Sequence, residues 1–209
     1  MMKLYFAPGV CSLSPHIVFK ETGVPFQAIR TDIRAKTFEA ADGTGDYKAI
    51  SPLGYVPALE LADGTILTEG PAIVQYIADQ APRANVTPAK GSSDHYKMLT
   101  WLNFIATEVH KGFTPLLSPM IVGKLSDEAK AVFRERLTAR IAHIDKHLAT
   151  NDYLLGTAFS IADAYCFTTL RWTAGIKMDL APFPHIQAYM ARMQARPAVQ
   201  AAMQAEGLT

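Results

Sequence analysis

Leu4-Tyr5-Phe6-Ala7-Pro8-Gly9-Val10-Cys11-Ser12-Leu13-Ser14-Pro15-His16 starts as a short apolar strand, breaks at Pro8-Gly9, and turns into a helix immediately after a cysteine. The helix is expected over Ser12 to Thr22, where Gly23 supplies a left-handed cap, and a second strand runs from Phe26 to Ile33 beyond Pro25. Strand, helix, strand is the opening of a βαβ unit. It places Cys11 at the mouth of the crossover helix.

Working outward, Ala58-Leu59-Glu60-Leu61 and Thr65-Ile66-Leu67-Thr68 flank Asp63-Gly64, a strong hairpin signal, so the sheet is mixed. A helix from Gly70 to Gln80 carries an apolar stripe of Ile73, Val74, Tyr76 and Ile77 and stops before Pro82. Residues 1–81 therefore read as an α/β unit with a four-stranded mixed sheet. The Pro, Ala, Gly and Ser-rich stretch of residues 82–92 reads as a linker, and residues 93–209 as all helix. Trp101, Leu102, Phe104, Ile105 and Val109 mark one long helix there, and Ser126-Asp127-Glu128 opens another. Ser160-Ile161-Ala162-Asp163 has the form of a capping box, whose loss is expected to cost about 1 kcal/mol.

Composition narrows the function classes. With 20 basic against 19 acidic residues and no basic block, the footprint of a nucleic-acid binder is missing. Two cysteines far apart, Cys11 and Cys166, give neither a disulfide framework nor a clustered metal site. Cys166 lies on an apolar helix and reads as core. The apolar start is broken at once by Pro8-Gly9, so neither a signal peptide nor a membrane span is expected, and the chain reads as cytoplasmic.

Three features carry chemistry. A thiol at a helix N-terminus feels unpaired N–H groups that favour the thiolate; the alternative for Cys11 is a small apolar residue filling a turn. Tyr55-Val56-Pro57 enters a strand where a cis proline would leave the Val56 backbone able to pair with an extended peptide-like ligand. Thr68-Glu69-Gly70-Pro71 opens a helix whose N–H groups suit a carboxylate, while Glu69 suits an ammonium group.

Strand, Pro-Gly-x-Cys-Ser, Val-Pro, Thr-Glu-Gly opening a helix, then an all-helical half with Ser-Ile-Ala-Asp resembles the cytosolic glutathione S-transferases. Residues 8–16, with Trp101-Leu102-Asn103-Phe104 and Glu108-Val109-His110-Lys111, resemble the bacterial beta class. The resemblance implies a thioredoxin-like N-terminal domain that binds glutathione as co-substrate, and a helical domain shaping a site for a small hydrophobic electrophile. It also implies a homodimer and no metal. It places Cys11 at the glutathione sulfur, Tyr55, Val56 and Pro57 against the cysteinyl part, and Glu69 with Gly70 at the γ-glutamyl end. Lys36 falls at the glycine carboxylate, and from the long helix the resemblance supplies His110 as a second catalytic residue, with Asn103 and Lys111 binding glutathione. Helical spacing puts Asn103 and His110 on one face, directed at Cys11, with an interdomain hydrogen bond as the other reading of His110. Tyr5 and Ser12 are alternates for the activating hydroxyl used in other classes. A glutathione-dependent thiol-disulfide oxidoreductase, peroxidase or dehalogenase would fit the same scaffold, as would a non-catalytic apolar ligand-binding protein.

Overall fold

In the computed structural model, which describes residues 1–40 and 43–208, the chain forms two compact units: residues 1–87 with 195–209, and residues 88–194. The first is built on β1 (Met2–Phe6), α1 (Leu13–Thr22) and β2 (Phe26–Asp32), with β1 and β2 parallel and in register Met2 to Phe26. Gly23 caps α1 in the left-handed conformation (φ 69°), and its N–H donates to Phe19 O. β5 (Ala58–Glu60) runs antiparallel to β1, and β6 (Ile66–Thr68) antiparallel to β5. The expected turn joins them: Asp63 Oδ1 accepts from Thr65 N–H at 2.9 Å, and Gly64 has φ 87°. α2 (Gly70–Asp79) comes next, its buried stripe formed by Ile73, Val74 and Ile77.

Among the described residues the sheet has six strands, not the expected four. β3 (Thr37–Ala40) and β4 (Gly43–Asp46) extend it in the order β4-β3-β2-β1-β5-β6. Gly43-Thr44-Gly45-Asp46 has poor strand propensity. It is held because Phe38 pairs with Gly45 across the ladder and lays its ring over the glycine, where any Cβ would collide with it. The same ring meets Tyr5 edge-on at 5.3 Å. A packing partner elsewhere in the chain, not local propensity, makes this strand pair.

A second difference concerns the end of the chain. α9 (Pro197–Ala205) packs on α1, so residues 195–209, expected within the helical half, belong to the first unit. Arg196 holds Glu21 at the end of α1 through Nε and Nη2 at 2.7 and 2.9 Å.

The second unit contains α3 (Ser93–Phe104), α4 (Lys111–Leu117), α5 (Pro119–Val122), α6 (Asp127–Leu148), α7 (Ile161–Leu170) and α8 (Pro184–Gln194). Ser92 caps α3 and Ser126 caps α6, each accepting a backbone N–H three residues on. α7 is buried along its whole length, and its Cys166 is fully enclosed, as expected of a core residue. Asp163 fixes the start of α7: it accepts from Ser160 N–H and Ser160 Oγ at 2.8 Å and from Leu154 N–H at 2.9 Å. Tyr189 on α8 adds its hydroxyl at 3.3 Å. The cap is thus a four-donor anchor, and the expected cost of about 1 kcal/mol counts only its local part. Among the described residues, no helix is long and apolar enough to cross a membrane.

Candidate functional site

Cys11 lies one residue before the Ser12 cap of α1, half-buried, and its Sγ is 3.0 Å from the carbonyl oxygen of Val56. That contact joins the β1–α1 turn to the segment entering β5. The Val56–Pro57 peptide is cis. The segment is fixed from below: Tyr47, wholly buried, and Ser51 both donate hydroxyls to Tyr55 O, at 2.9 and 3.0 Å. Burial drives the Tyr47 phenol well above its ordinary pKa, which keeps it a neutral donor.

Lys36, at φ 61°, sends Nζ to Gly54 O at 2.9 Å and lies 5.7 Å from the centre of the Tyr55 ring. Gly54 has φ 66°, and a Cβ there would press into the Lys36 stem, so glycine is required on both counts. Tyr55 itself is exposed. Glu69 caps α2 from φ 67°, a left-handed position that a non-glycine residue holds at a cost, and its side chain is exposed. Gly70 faces Pro57, whose Cγ lies 3.9 Å from where a Gly70 Cβ would be. Cys11 with Val56, Lys36 with Gly54, and Gly70 facing Pro57 are therefore three contacts that meet on the continuous segment Gly54 to Pro57.

The two alternate hydroxyls are occupied. Ser12 Oγ accepts from Ala7 N–H and donates to Ala7 O, both at 3.1 Å, with no exposed surface. Tyr5 donates to Glu60 Oε2 at 2.8 Å; burial first, and then Glu60, raises its phenol well above the ordinary range. Ser12 holds the β1–α1 turn, and Tyr5 ties β1 to β5.

In the helical unit the expected face does not form. Ile105–His110 adopt π-type turns between α3 and α4. The wider turn rotates the helix beyond it by about 100° per extra residue, so the spacing that would align Asn103 with His110 in an α-helix no longer does. Asn103 is exposed, with Nδ2 turned back to Leu99 O at 2.9 Å, and Lys111 is exposed. His110 Nδ1 lies 2.7 Å from Tyr165 Oη, with its ring edge-on to Trp172. Burial, then the nearby Lys111 charge, pushes its pKa down to about 4, so it is neutral at pH 7. No group of metal-ligating side chains is found among the described residues.

Sequence reasoning misses Tyr47, Ser51 and Gly54. Gly54 alone has a local signal, in Pro52-Leu53-Gly54; Tyr47 and Ser51 lie only eight and four residues before Tyr55, but nothing in their residue type marks its carbonyl as their partner.

Models of two families match the chain: "Glutathione S-transferase, N-terminal domain" over residues 10–80 and "Glutathione S-transferase, C-terminal domain" over residues 104–197. The chain is 45% identical to glutathione S-transferase GstA of Escherichia coli O157:H7 over 207 residues, covering 99% of this chain and 100% of that one. Two solved structures each cover 99% of this chain and 100% of their own. A sphingomonad glutathione S-transferase complexed with glutathione matches at TM-score 0.91 and 45% identity. A beta class enzyme of Sphingomonas chungbukensis matches at 0.91 and 40%. With the first model on the sheet that carries Cys11 and the second on the helices that carry His110, the chain belongs to the glutathione S-transferases, among the bacterial beta class.

Proposed function

We propose that this transferase holds glutathione along the edge built from Cys11, Val56, Glu69 and Lys36, and that Cys11 governs the glutathione sulfur. The observation that carries the reading is the 3.0 Å contact from Cys11 Sγ to Val56 O. An extended peptide pairing with the Val56 backbone, as an added strand does, would bring its cysteinyl residue beside that thiol. Support for glutathione as the co-substrate comes from the sphingomonad relative, solved with it.

In this reading Glu69 takes the γ-glutamyl ammonium group, and Gly70 with the N-terminus of α2 takes its carboxylate. Lys36 takes the glycine carboxylate, with Tyr55 and Pro57 shaping the wall between. The Cys11 S–H, already a donor to a carbonyl oxygen, turns to the glutathione thiolate and stabilises it while that sulfur attacks the carbon of a small apolar electrophile such as an aryl halide, forming the thioether as the carbon–halogen bond breaks and halide leaves. The occupied hydroxyls of Tyr5 and Ser12 favour Cys11 for this task. Parts for Asn103, His110 and Lys111, a homodimer and a cytoplasmic setting rest on the resemblance; neutral His110 would act as a hydrogen-bonding group rather than a cation.

The test is conjugation of glutathione to an aryl halide by wild type and Cys11→Ala, with intact-protein mass spectrometry after incubation with oxidised glutathione. Loss of conjugation in the variant, with a single glutathione adduct in wild type only, is expected. Undiminished turnover in Cys11→Ala would overturn the assignment. An adduct lost without any change in conjugation would confine Cys11 to thiol transfer, in which it attacks one sulfur of the disulfide and expels glutathione thiolate.

A further inference from the structure

The proposed glutathione chemistry gives no part to His16 or to the end of the chain, yet both are built into the base of the thiol's turn. Glu206, just past α9, is buried, with no exposed side-chain surface. Its two carboxylate oxygens are divided: Oε1 lies 2.9 Å from His16 Nδ1, inside α1, and Oε2 accepts from Gly9 N–H at 2.9 Å. Gly9 is two residues before Cys11 and sits at φ 72°. Leu208 closes over it, with Cδ2 3.3 Å from where a Gly9 Cβ would project. One carboxylate from the far end of the sequence therefore clamps the turn that precedes the thiol to the helix beyond it.

A polar group this buried needs all its partners, and each oxygen has one. The clamp ties the backbone before Cys11, at Gly9, to a side chain of the helix beyond it, at His16, and Cys11 sits between the two. We infer that Glu206 is a positioning residue for Cys11, acting through Gly9 N–H and His16, so that the last turn of the chain is part of the thiol site. The inference rests on the reading of Cys11 as the working thiol. Arg196 provides the comparison. Its pair with Glu21 anchors the opposite end of α9, far along α1 from Cys11, and loosening it disturbs the same helix without touching the turn.

The experiment measures kcat and KM for glutathione with an aryl halide, and the rate of Cys11 alkylation by iodoacetamide in the folded protein. The proteins are wild type, Glu206→Ala, Glu206→Gln, Leu208→Ala and Arg196→Gln; buried Cys166 serves as the unreactive reference. Misplacing a reacting group by about 1 Å costs on the order of 100-fold. Glu206→Ala is therefore expected to lower kcat and slow alkylation by about 10- to 100-fold. Its KM should stay within about twofold, since none of the proposed ligand contacts is touched. Glu206→Gln, which keeps an oxygen for Gly9 and offers an amide to His16, should recover most of the loss, and Arg196→Gln should behave as wild type.

Unchanged kcat and alkylation in Glu206→Ala, with only a lower melting temperature, would overturn the inference; so would an equal loss in Arg196→Gln. Should Glu206→Ala not fold, Leu208→Ala decides: slower alkylation and a lower kcat at unchanged KM support the inference, and wild-type behaviour overturns it. If wild-type Cys11 alkylates no faster than a free cysteine and Cys11→Ala turns over normally, the reading of Cys11 falls first and takes this one with it.

Discussion

Two buried carboxylates, one in each unit, are satisfied in opposite ways. Asp163 gathers its donors from its own neighbourhood: Ser160 three residues back, Leu154 nine back, and one hydroxyl from Tyr189. Glu206 reaches across 190 residues to His16 and 197 to Gly9. The first contact set fixes the start of a core helix and touches no proposed ligand group. The second holds the turn bearing Cys11. Local polar networks can specify an element before the rest of the chain has folded, whereas a distant one ties the functional turn to completion of the fold.

The largest effect that would break this contrast is on stability. Asp163→Ala leaves two buried N–H groups and the Ser160 hydroxyl without their acceptor, while Tyr189 keeps its bond to the Asp163 carbonyl oxygen, and should cost about 3 kcal/mol or more, read as a fall in the urea midpoint. Glu206→Ala removes one paired carboxylate and should cost about 2 kcal/mol, less than Asp163→Ala because fewer buried donors are stranded. If Glu206→Ala proved the more damaging by denaturation, the first unit rather than the capping box would be the weaker point of the fold. Gly9→Ala sharpens the comparison. Forcing a Cβ into a left-handed residue under Leu208 should cost about 1 kcal/mol and slow Cys11 alkylation, whereas the exposed turn substitution Gly64→Ala, also at positive φ but with open space around it, should leave alkylation unchanged.

The smallest effect is a slope with pH. Burial pushes Asp163 up to about 6, against the donors that pull it down. Because its folded value lies above its ordinary 3.8, the folded state keeps the proton to higher pH. The stability this confers is full below about pH 4 and is lost as pH rises through about 6. Asp163→Asn should flatten that part of the stability curve in chemical denaturation at about pH 4, 5, 6 and 7. A slope identical to wild type would show that the four donors outweigh burial and hold the carboxylate ionised throughout.

Much of the fold was legible because its signals are local. The turn at Pro8-Gly9, the Gly23 cap, the Asp63-Gly64 hairpin and the Ser160-Asp163 box each depend on residues within a few positions of one another. The candidate site was legible for a related reason: Cys11, Val56-Pro57 and Glu69-Gly70 each occupy the end of an element that the sequence marks clearly. The missed parts lie where neighbours in space are far apart in sequence, as Glu206 and Gly9 are; where a short loop turns side chains onto its own backbone, as Tyr47 and Ser51 do on Tyr55; or where a helix departs from its usual period. The π-type turns at Ile105–His110 rotate His110 away from Asn103 and leave no residue-type signature.

By itself the sequence determined the βαβ opening, the mixed sheet, the helical half and the position of a cysteine at a helix mouth, since backbone propensity, turn chemistry and apolar period suffice for those. Only the tertiary structure decided the two added strands, held by Phe38 over Gly45, and the return of the last helix to α1. It also decided the aim of Cys11 at the Val56 carbonyl and the grip of Glu206 on Gly9. The last three are contacts between distant segments, and the strand pair leans on one as well, Phe38 against Tyr5; their geometry exists only once both partners are packed, and no local rule encodes it.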